Sequence, residues 1–563
     1  MALLSCRPAP TPTRAWVIPQ AENLTGDPEW DWLSRALPAL LEESLSAVRG
    51  SRVQRVPRYL DAAGQTQGTP VHCRYWELSG RRLRFACWPE AASSEIQAEC
   101  GPGEVAAAAS ALARQLEASS APLQPVADDA LRALAEGRYL LAAEQAPQLA
   151  VVYLDGVSAL LARGEVAEAR RLLELAAQQK DSLPAVVRAR LDLARSTIDQ
   201  DAAGQTAALQ RLDALTSPDP LRLAQLASLL AAQRKLPQAI AAQEQLTALT
   251  PTNGDAWNQL GYYRAAAGDF SGAQAALARY RTVAPESPNP LDSLGEIHYA
   301  VGRFREAAHF FLEAYSKDPR FNGGQALLKA AFARQWSGDR SGAQTALEQF
   351  LQGREDAAVV RAQFRYSWGD SQAAAELEHA LPQLAAGVQS AAAIQLALWR
   401  FIAGDQAGAH AYLSRAAASP PAGQIRLNAM LTSFLIQPDA PLAEWRARAE
   451  KALPGPQSAE VRTILVSLAL IARQRGAEVV DDLRRRYEST SPLHDSRVRI
   501  LLAESLRQAS RGTEARELLR FYTIPVLAPG DAFASILLRL EHELRRQLTA
   551  EIRESGRGAF RRA

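Results

Sequence analysis

Cysteine is scarce in this chain of 563 residues, and long apolar runs are missing. The four cysteines, Cys6, Cys73, Cys87 and Cys100, contain no C-x-x-C pair. This excludes a zinc ribbon, a thioredoxin-type site and a disulfide-dense scaffold. No apolar run reaches the roughly 18 residues that a membrane-spanning helix needs. With a net charge of only +2, the chain has no overall attraction for nucleic acid or acidic substrates.

Motifs that carry chemistry are missing as well. Neither a Gly-Lys-Ser/Thr phosphate loop nor a G-x-S-x-G nucleophile turn occurs. The His542-Glu543 pair is followed by Arg546 where a zinc protease has its second histidine. The stretch DDLRRRYE, Asp481–Glu488, contains a basic run, but the acids that flank the run argue against a phosphate-binding patch. The sequence therefore predicts a non-enzyme with no catalytic, cofactor-binding or metal-binding residues and no cofactor.

What the chain does contain is a period of 34 residues. Four sets of identical residues recur at this spacing: Pro251, Pro285 and Pro319; Gly261 and Gly295; Gly268 and Gly302; Ala239, Ala273 and Ala307. Each unit reads as two helices joined by a turn at Gly268 or Gly302, where glycine adopts a left-handed cap conformation. Small residues let the two helices approach closely, and the proline ends the second helix.

This pattern resembles the tetratricopeptide repeat, whose motif positions are filled here by Trp257, Leu260, Gly261, Ala273 and Pro285. The resemblance implies a right-handed α-solenoid that binds a partner peptide or helix on its concave surface. Looser copies of the unit precede and follow the clear ones. The predicted segments are an array over 125–420, with its clearest units at 220–253, 254–287 and 288–321, then degenerate helical repeats over 421–545 and a basic tail over 546–563.

Residues 14–120 mix strands with helices and predict a small α/β domain. RAWVIPQ and SRVQRV are strand candidates, CRYWELSGRRLRFACW is a hairpin around Ser79-Gly80, and GEVAAAASALARQLEA is a closing helix. Cys73 and Cys87 flank the hairpin and pair only if its loop has an odd length. The fold class is thus mostly α, a tetratricopeptide-type solenoid preceded by this small domain.

The small domain is similar to the TolB-like N-terminal domain of bacteria, through the phrase NLTGDPE, Asn23–Glu29, and the later hairpin. Ala36, where glycine is common, and Pro38 inside the first helix depart from that family. In relatives the domain and its repeats are often joined to a signalling module, which is expected here on another polypeptide. From its residues alone, the phrase is interpreted as a helix-capping turn in which Thr25 or Asp27 satisfies free amides.

The first 13 residues, MALLSC followed by RPAPTPT, look like the end of a bacterial lipoprotein signal and its tether. Either the start codon lies upstream and Cys6 is a lipidated first residue, or the match is accidental. We expect a periplasmic or cell-envelope lipoprotein, with a cytoplasmic protein as the alternative. Contact with a membrane is expected only through lipidation of Cys6.

The stretch LDSLGEIHYAVGRF places Glu296 and His298 close together, which raises the question of a metal or catalytic site. His298 has no second ligand at helical spacing, so packing is the preferred interpretation. The family's groove positions predict six partner-contacting residues: Asn258, Tyr262, Asn289, Asp292, Glu296 and Tyr299. Their acids favour a basic protein or peptide partner, and no nucleic acid is expected.

The predicted function is a non-catalytic scaffold that binds a partner peptide or helix in this groove. One alternative is an envelope-tethered accessory lipoprotein for assembly or signalling. A second alternative is a subunit of an enzyme or regulator complex.

Overall fold

The computed structural model of the chain describes residues 14–560 apart from 47, 49–50, 57–67, 91, 93, 180–181, 217, 418–422, 456–457, 489–495 and 529–530. The predicted tether, including Cys6, lies outside the described residues. The chain divides into two compact units, Met1–Leu229 and Leu230–Ala563. Within the described part, no helix is both long and apolar enough to cross a membrane.

A mixed sheet opens the first unit. Its strands are β1 Arg14–Pro19, β2 Glu22–Asn23, β3 Ser51–Val56, β4 Thr69–Leu78, β5 Arg82–Pro89 and β6 Ile96–Cys100. They lie in the order β3-β1-β4-β5-β6, with β2 on β4. β1 runs parallel to β3 and β4, whereas β4, β5 and β6 are antiparallel. Helices α1 Leu33–Ser46 and α2 Val105–Leu116 pack against each other, and the predicted small α/β domain is confirmed.

The β4–β5 hairpin contains a disulfide. Its loop has three residues, Ser79 to Arg81, because Leu78 pairs with Arg82. An odd loop places Cys73 directly opposite Cys87, and the two sulfurs are bonded. Cys100 remains a free buried thiol, and burial raises its pKa to about 12.

The phrase Asn23–Glu29 forms a capping turn. The Thr25 amide and hydroxyl donate to Asn23 Oδ1, at 2.9 and 2.6 Å. Asp27 Oδ1 accepts from the Glu29 amide at 2.9 Å and so caps the short 3-10 helix Pro28–Trp30. The capping interpretation is confirmed.

The sheet and the first helices of the repeat share one hydrophobic core, which runs from Trp16 to Leu191. Polar contacts join them as well. Glu43 on α1 accepts hydrogen bonds from the amides of Ala150 (3.1 Å) and Val151 (2.7 Å), at the start of a repeat helix. Burial raises the pKa of Glu43 to about 6. The predicted domain at 14–120 is therefore continuous with the repeats of its unit.

Consecutive helix pairs follow. In the first unit they are α3 Asp128–Ala135, α4 Tyr139–Gln145, α5 Ala150–Ala162, α6 Val166–Gln178, α7 Ala185–Ile198 and α8 Ala202–Leu215; α9 Pro220–Ala232 crosses the unit boundary. In the second unit they are α10 Leu236–Leu249, α11 Gly254–Ala267, α12 Phe270–Val283, α13 Asn289–Ala300, α14 Phe304–Lys317, α15 Gln325–Trp336, α16 Arg340–Leu351, α17 Ala357–Ser367, α18 Ala373–Ala380, α19 Ala386–Ile402, α20 Gln406–Ala417, α21 Gly423–Leu435, α22 Leu442–Ala452, α23 Ala459–Ile471, α24 Val480–Glu488, α25 Ser496–Gln508 and α26 Gly512–Leu518.

Odd-numbered helices from α3 to α25 are the first helices of their pairs. The last helix, α27 Ala534–Phe560, is a single long helix that extends through most of the predicted basic tail. A tetratricopeptide-like helical repeat is thus present, and the mostly α fold class is confirmed.

The turns inside the pairs explain why the sequence motif fades while the helices persist. Gly268 and Gly302 have φ of 87° and 79°, in the left-handed region that favours glycine. The same region is used by residues with side chains in other pairs, for example Gln200, Arg234 and Ser510, at φ of 55° to 61°. The backbone geometry of the unit is therefore kept where its glycine is lost.

Close helix contacts occur where the small residues recur. Ala273 and Ala307 are fully buried. A Cβ added to Gly261 would lie 2.9 Å from Leu277, and one added to Gly295 would lie 2.5 Å from Phe311. These separations are shorter than carbon–carbon contacts allow, so the 34-residue pattern of small residues is a packing requirement.

Candidate partner groove

The six groove candidates lie on two successive first helices that contact each other, α11 and α13. Asp292 and Tyr299 are buried, with 4% and 1% of their surface exposed. The other four, Asn258, Tyr262, Asn289 and Glu296, are half-buried. The structure therefore brings the six together, but two of them present almost no surface to a partner.

A buried polar network joins three first helices at this place. Lys329 on α15 donates to Asp292 Oδ2 at 2.7 Å and to Glu296 Oε1 at 2.5 Å. The Tyr262 hydroxyl on α11 donates to Glu296 Oε2 at 2.6 Å. One ammonium thus serves two carboxylates, and the network carries an excess of one negative charge when both are ionised.

Burial governs the proton affinities of the network. Burial raises the pKa of Asp292 to about 6, because the cost of desolvating the carboxylate exceeds the attraction of Lys329. The negative charge of Glu296 also raises this pKa. The two carboxylates raise the pKa of Lys329 despite its burial. Burial, followed by the charge of Glu296, raises the pKa of Tyr262, so the phenol stays neutral and donates.

Two acceptor atoms in the groove lack a donor. Asn258 Oδ1 and Asp292 Oδ1 are buried oxygens without a hydrogen-bond partner. The two residues are 34 positions apart, so they occupy equivalent places in adjacent units. Unpaired buried acceptors are uncommon, since each loses its hydration without compensation. Both oxygens are shielded from the surface, so they are unsatisfied atoms of the buried layer and do not face a partner.

Tyr299 is covered by the chain's own C-terminal part. We call residues 519–528, between α26 and α27, the return segment. The Tyr522 amide donates to Ala300 O at 2.8 Å, beside Tyr299. The Tyr522 ring lies against Phe304 at 4.8 Å and Trp336 at 5.2 Å between centroids. The end of the predicted groove is therefore filled in the folded chain.

Glutamines on successive first helices hold this part of the chain by its backbone. The Gln325 side chain donates to Leu527 O at 3.5 Å, and the Gln363 side chain donates to Ala528 O at 3.3 Å. Gln395 donates to Ala532 O at 2.9 Å, just before α27. Leu527 is fully buried between these contacts. The first-helix surface therefore holds an irregular segment of its own chain through main-chain carbonyls.

α27 then packs on the first helices α17 and α25. Its Glu541 is 4% exposed and bonds Arg545 at 2.7 Å and the Thr523 amide at 3.2 Å. Arg545 also donates to Phe521 O at 2.6 Å. Removing either member of so buried a charge pair leaves an uncompensated charge. The return segment and α27 are thus an integral part of the second unit.

His298 is a packing residue in the described structure. Its ring lies 5.1 Å from both Phe270 and Phe310, and Nε2 is 3.0 Å from the Gln274 side-chain nitrogen. Burial lowers the pKa of His298. Among the described residues, no group of three or more His, Cys, Asp or Glu side chains is arranged to hold a metal ion.

Several residues at this surface were not predicted from sequence. Lys329, the three glutamines and Tyr522 belong to no repeat signature. Of these residues, only Lys329 could have been noticed in the sequence. It is one of only five lysines in a chain that otherwise uses arginine, and it lies within the apolar stretch ALLKAAF. The return segment has no sequence signal, since its contacts join residues about 200 positions apart.

Comparisons with known proteins found similarity only to solved structures, and that similarity is low. No protein-family model and no curated sequence matches the chain. Among solved structures, it is similar to a tetratricopeptide repeat protein from Parabacteroides merdae, at 14% identity and TM-score 0.31, over 40% of this chain and 90% of that one. It is also similar to a chain in the structure of Naa15/Naa10 bound to HypK-THB, at 13% identity and TM-score 0.29, over 70% of this chain and 67% of that one. At such TM-scores, the fold assignment rests on the helix pairs themselves.

Proposed function

We propose that the chain is a non-catalytic scaffold that binds an extended, basic segment of a protein partner along its first-helix surface. The observation that carries this proposal is that the same layer already holds a non-helical segment of its own chain by its main-chain carbonyls, through Gln325 and Gln363. Shallow grooves between repeats are suited to such main-chain recognition.

The partner would contact the part of the layer next to the return segment. Asn258, Tyr262 and Asn289 are half-buried there and keep part of their surface open to a partner. The nearby network has two carboxylates for one ammonium. Donors that carry positive charge, such as arginine and lysine side chains, complement this surface.

A random-peptide display selection against the full chain tests this proposal. We expect enriched peptides to be rich in arginine and lysine. The variant Asn258→Arg should weaken their binding by about tenfold or more, since it adds bulk and positive charge where the donors would bind. Thr282→Arg, on the exposed side of the second helix α12, is the matched control and should leave binding unchanged. Equal binding by both variants would place the partner surface elsewhere.

We also propose that the protein works in an oxidising compartment, as an envelope accessory protein would. The support is the Cys73–Cys87 bond, because cytosolic reductants keep most thiols reduced. Mass spectrometry of material from the native organism tests this proposal. The linked Cys73–Cys87 peptide is expected for an oxidising compartment, and a lipid-modified Cys6 is expected for an envelope accessory protein. Recovery of both hairpin thiols in reduced form, after trapping with an alkylating agent, would contradict it.

A further inference from the structure

The second unit contains a cavity of about 570 Å³ between α22, α23 and α24. Its charged lining consists of four arginines and two acids: Arg446, Arg462, Arg485, Arg486, Glu450 and Asp482. The lining thus has two more positive than negative charges, in a chain of nearly balanced composition. The volume falls in the range of small-molecule sites, roughly 300–1,000 Å³.

Two of the arginines share one carboxylate. Arg446 bonds Asp482 Oδ2 at 2.5 Å, and Arg485 bonds Asp482 Oδ1. Both guanidinium groups are exposed, at 55% and 72% of their side-chain surface, whereas Asp482 is 22% exposed. A guanidinium has five donors, so a single carboxylate leaves most of the donor capacity of this pair to other acceptors.

The rest of the lining adds a positively charged side chain in a fixed position, Arg462, and a helix N-terminus. Arg462 is held in place by the carbonyls of Leu453 and Gly455, at 2.6 and 2.7 Å, and by Glu450 at 3.0 Å. α23 begins at Ala459, which lines the cavity, and the side chain of Ser458, the residue before it, makes no capping hydrogen bond. The amides of an uncapped helix N-terminus favour negative charge. Arginine forks and a helix N-terminus together match the oxygens of a phosphate group.

We propose that this cavity binds a small organic phosphate, with Arg446 and Arg485 as the residues that grip its oxygens and Asp482 as the internal carboxylate that it displaces. The basic run of α24 supplies only part of this site. Arg446 and Arg462 come from α22 and α23, and Asp481, the neighbouring acid of the run, is not among the residues of the lining.

Isothermal titration calorimetry of the full chain with pyrophosphate tests the proposal, at an ionic strength low enough that exposed charges are little screened. We expect saturable binding at one site. The double variant Arg446→Ala/Arg485→Ala should weaken binding by about tenfold or more. Asp482→Asn should strengthen it by about threefold or more, because it removes the competing carboxylate. Arg497→Ala, whose arginine is 57% exposed and pairs with Asp531 outside the cavity, is the matched control and should change nothing.

The thermal midpoints of the arginine variants should stay near that of the wild type, since exposed ion pairs contribute little to stability. Absence of saturable binding, or equal weakening by Arg497→Ala, would overturn the proposed site. Unchanged affinity in a folded Asp482→Asn would also overturn it, and if that variant fails to fold, the arginine double variant decides. Tighter binding of citrate than of pyrophosphate would overturn the assignment to phosphates.

Discussion

At the scale of single residues, the fold depends on small side chains at the contact between the two helices of a pair and on the polar side chains of the buried network. Ala307 is fully buried, in a hydrophobic cluster that includes Tyr299 of the facing helix. The Lys329 ammonium bonds two carboxylates of the preceding first helix, α13, within 2.7 Å. At both positions the buried surroundings restrict which side chain fits, and substitutions should show which contacts the fold depends on.

At Ala307 we expect the substitution Ala307→Glu to lower stability by about 3 kcal/mol or more, because it overpacks the seam and buries an unpaired charge. The thermal midpoint by circular dichroism measures the effect. His309→Glu introduces the same residue on the same helix, at a side chain that is 73% exposed, and should change stability by less than about 0.5 kcal/mol. An unchanged midpoint for Ala307→Glu would show that the helix register is wrong.

At Asp292 we expect a dependence of stability on pH. The pKa of Asp292 is higher in the folded chain, at about 6, than the ordinary value of 3.8. The folded state therefore binds more protons in this window, and stability falls as pH rises from about 4 to about 6. Over the same window Asp292→Asn should gain stability relative to wild type, by roughly 1–3 kcal/mol.

Denaturant titrations of both proteins at several pH values measure this difference. The comparison with Asp292→Asn separates Asp292 from Glu43, whose pKa burial also raises to about 6 and which both proteins retain. A constant stability difference across the window would contradict the raised pKa of Asp292.

At the scale of elements, the helix pair is defined by its left-handed turn more than by its consensus residues. Glycine occupies that turn in the units 254–287 and 288–321, whereas Arg234 occupies it in the unit 220–253, and Gln200 or Ser510 occupies it in other pairs. A side chain in this conformation is strained relative to glycine. The units without glycine at this turn therefore carry a cost that the units with glycine avoid.

Replacing Gln200 by glycine should consequently stabilise the chain by about 0.5–1 kcal/mol, the relief of strain less the extra flexibility that glycine gives the unfolded chain. The reciprocal change, Gly268→Ala, should destabilise by about 1 kcal/mol. An added Cβ at Gly268 meets no atom within 4 Å, so only the backbone conformation is tested. Midpoints that shift in the same direction in both variants would refute this account of the turn.

At the scale of the whole molecule, two terminal regions are built into the repeats of their own units. The sheet shares a core with the first helix pairs, and α1 contacts α3 and α5. The return segment and α27 cover the first helices of the second unit. Neither terminal region behaves as a separate module attached by a linker.

A truncation tests this continuity in the first unit. We expect a fragment of residues 1–120 to be unfolded or aggregated, because it exposes the apolar face of α1 that packs on α3 and α5. A fragment of residues 1–229 should fold, since it retains the whole unit. Heteronuclear NMR spectra distinguish the two outcomes, and well-dispersed peaks for the short fragment would show that the sheet domain is autonomous.

The sequence by itself determined the repeating helix pair, the small α/β domain and the hairpin that carries Cys73 and Cys87. These features depend on contacts between residues that are near in sequence, so periodicity, turn residues and strand alternation report them. Only the tertiary structure decided which groove residues remain available. Asp292 and Tyr299 both satisfy the family's spacing, yet both are buried by residues distant in sequence. Lys329, about 40 residues away, covers Asp292, and Tyr522, about 220 residues away, packs beside Tyr299. The cavity with four arginines likewise assembles from three helices, because charges distant in sequence meet only when the pairs stack.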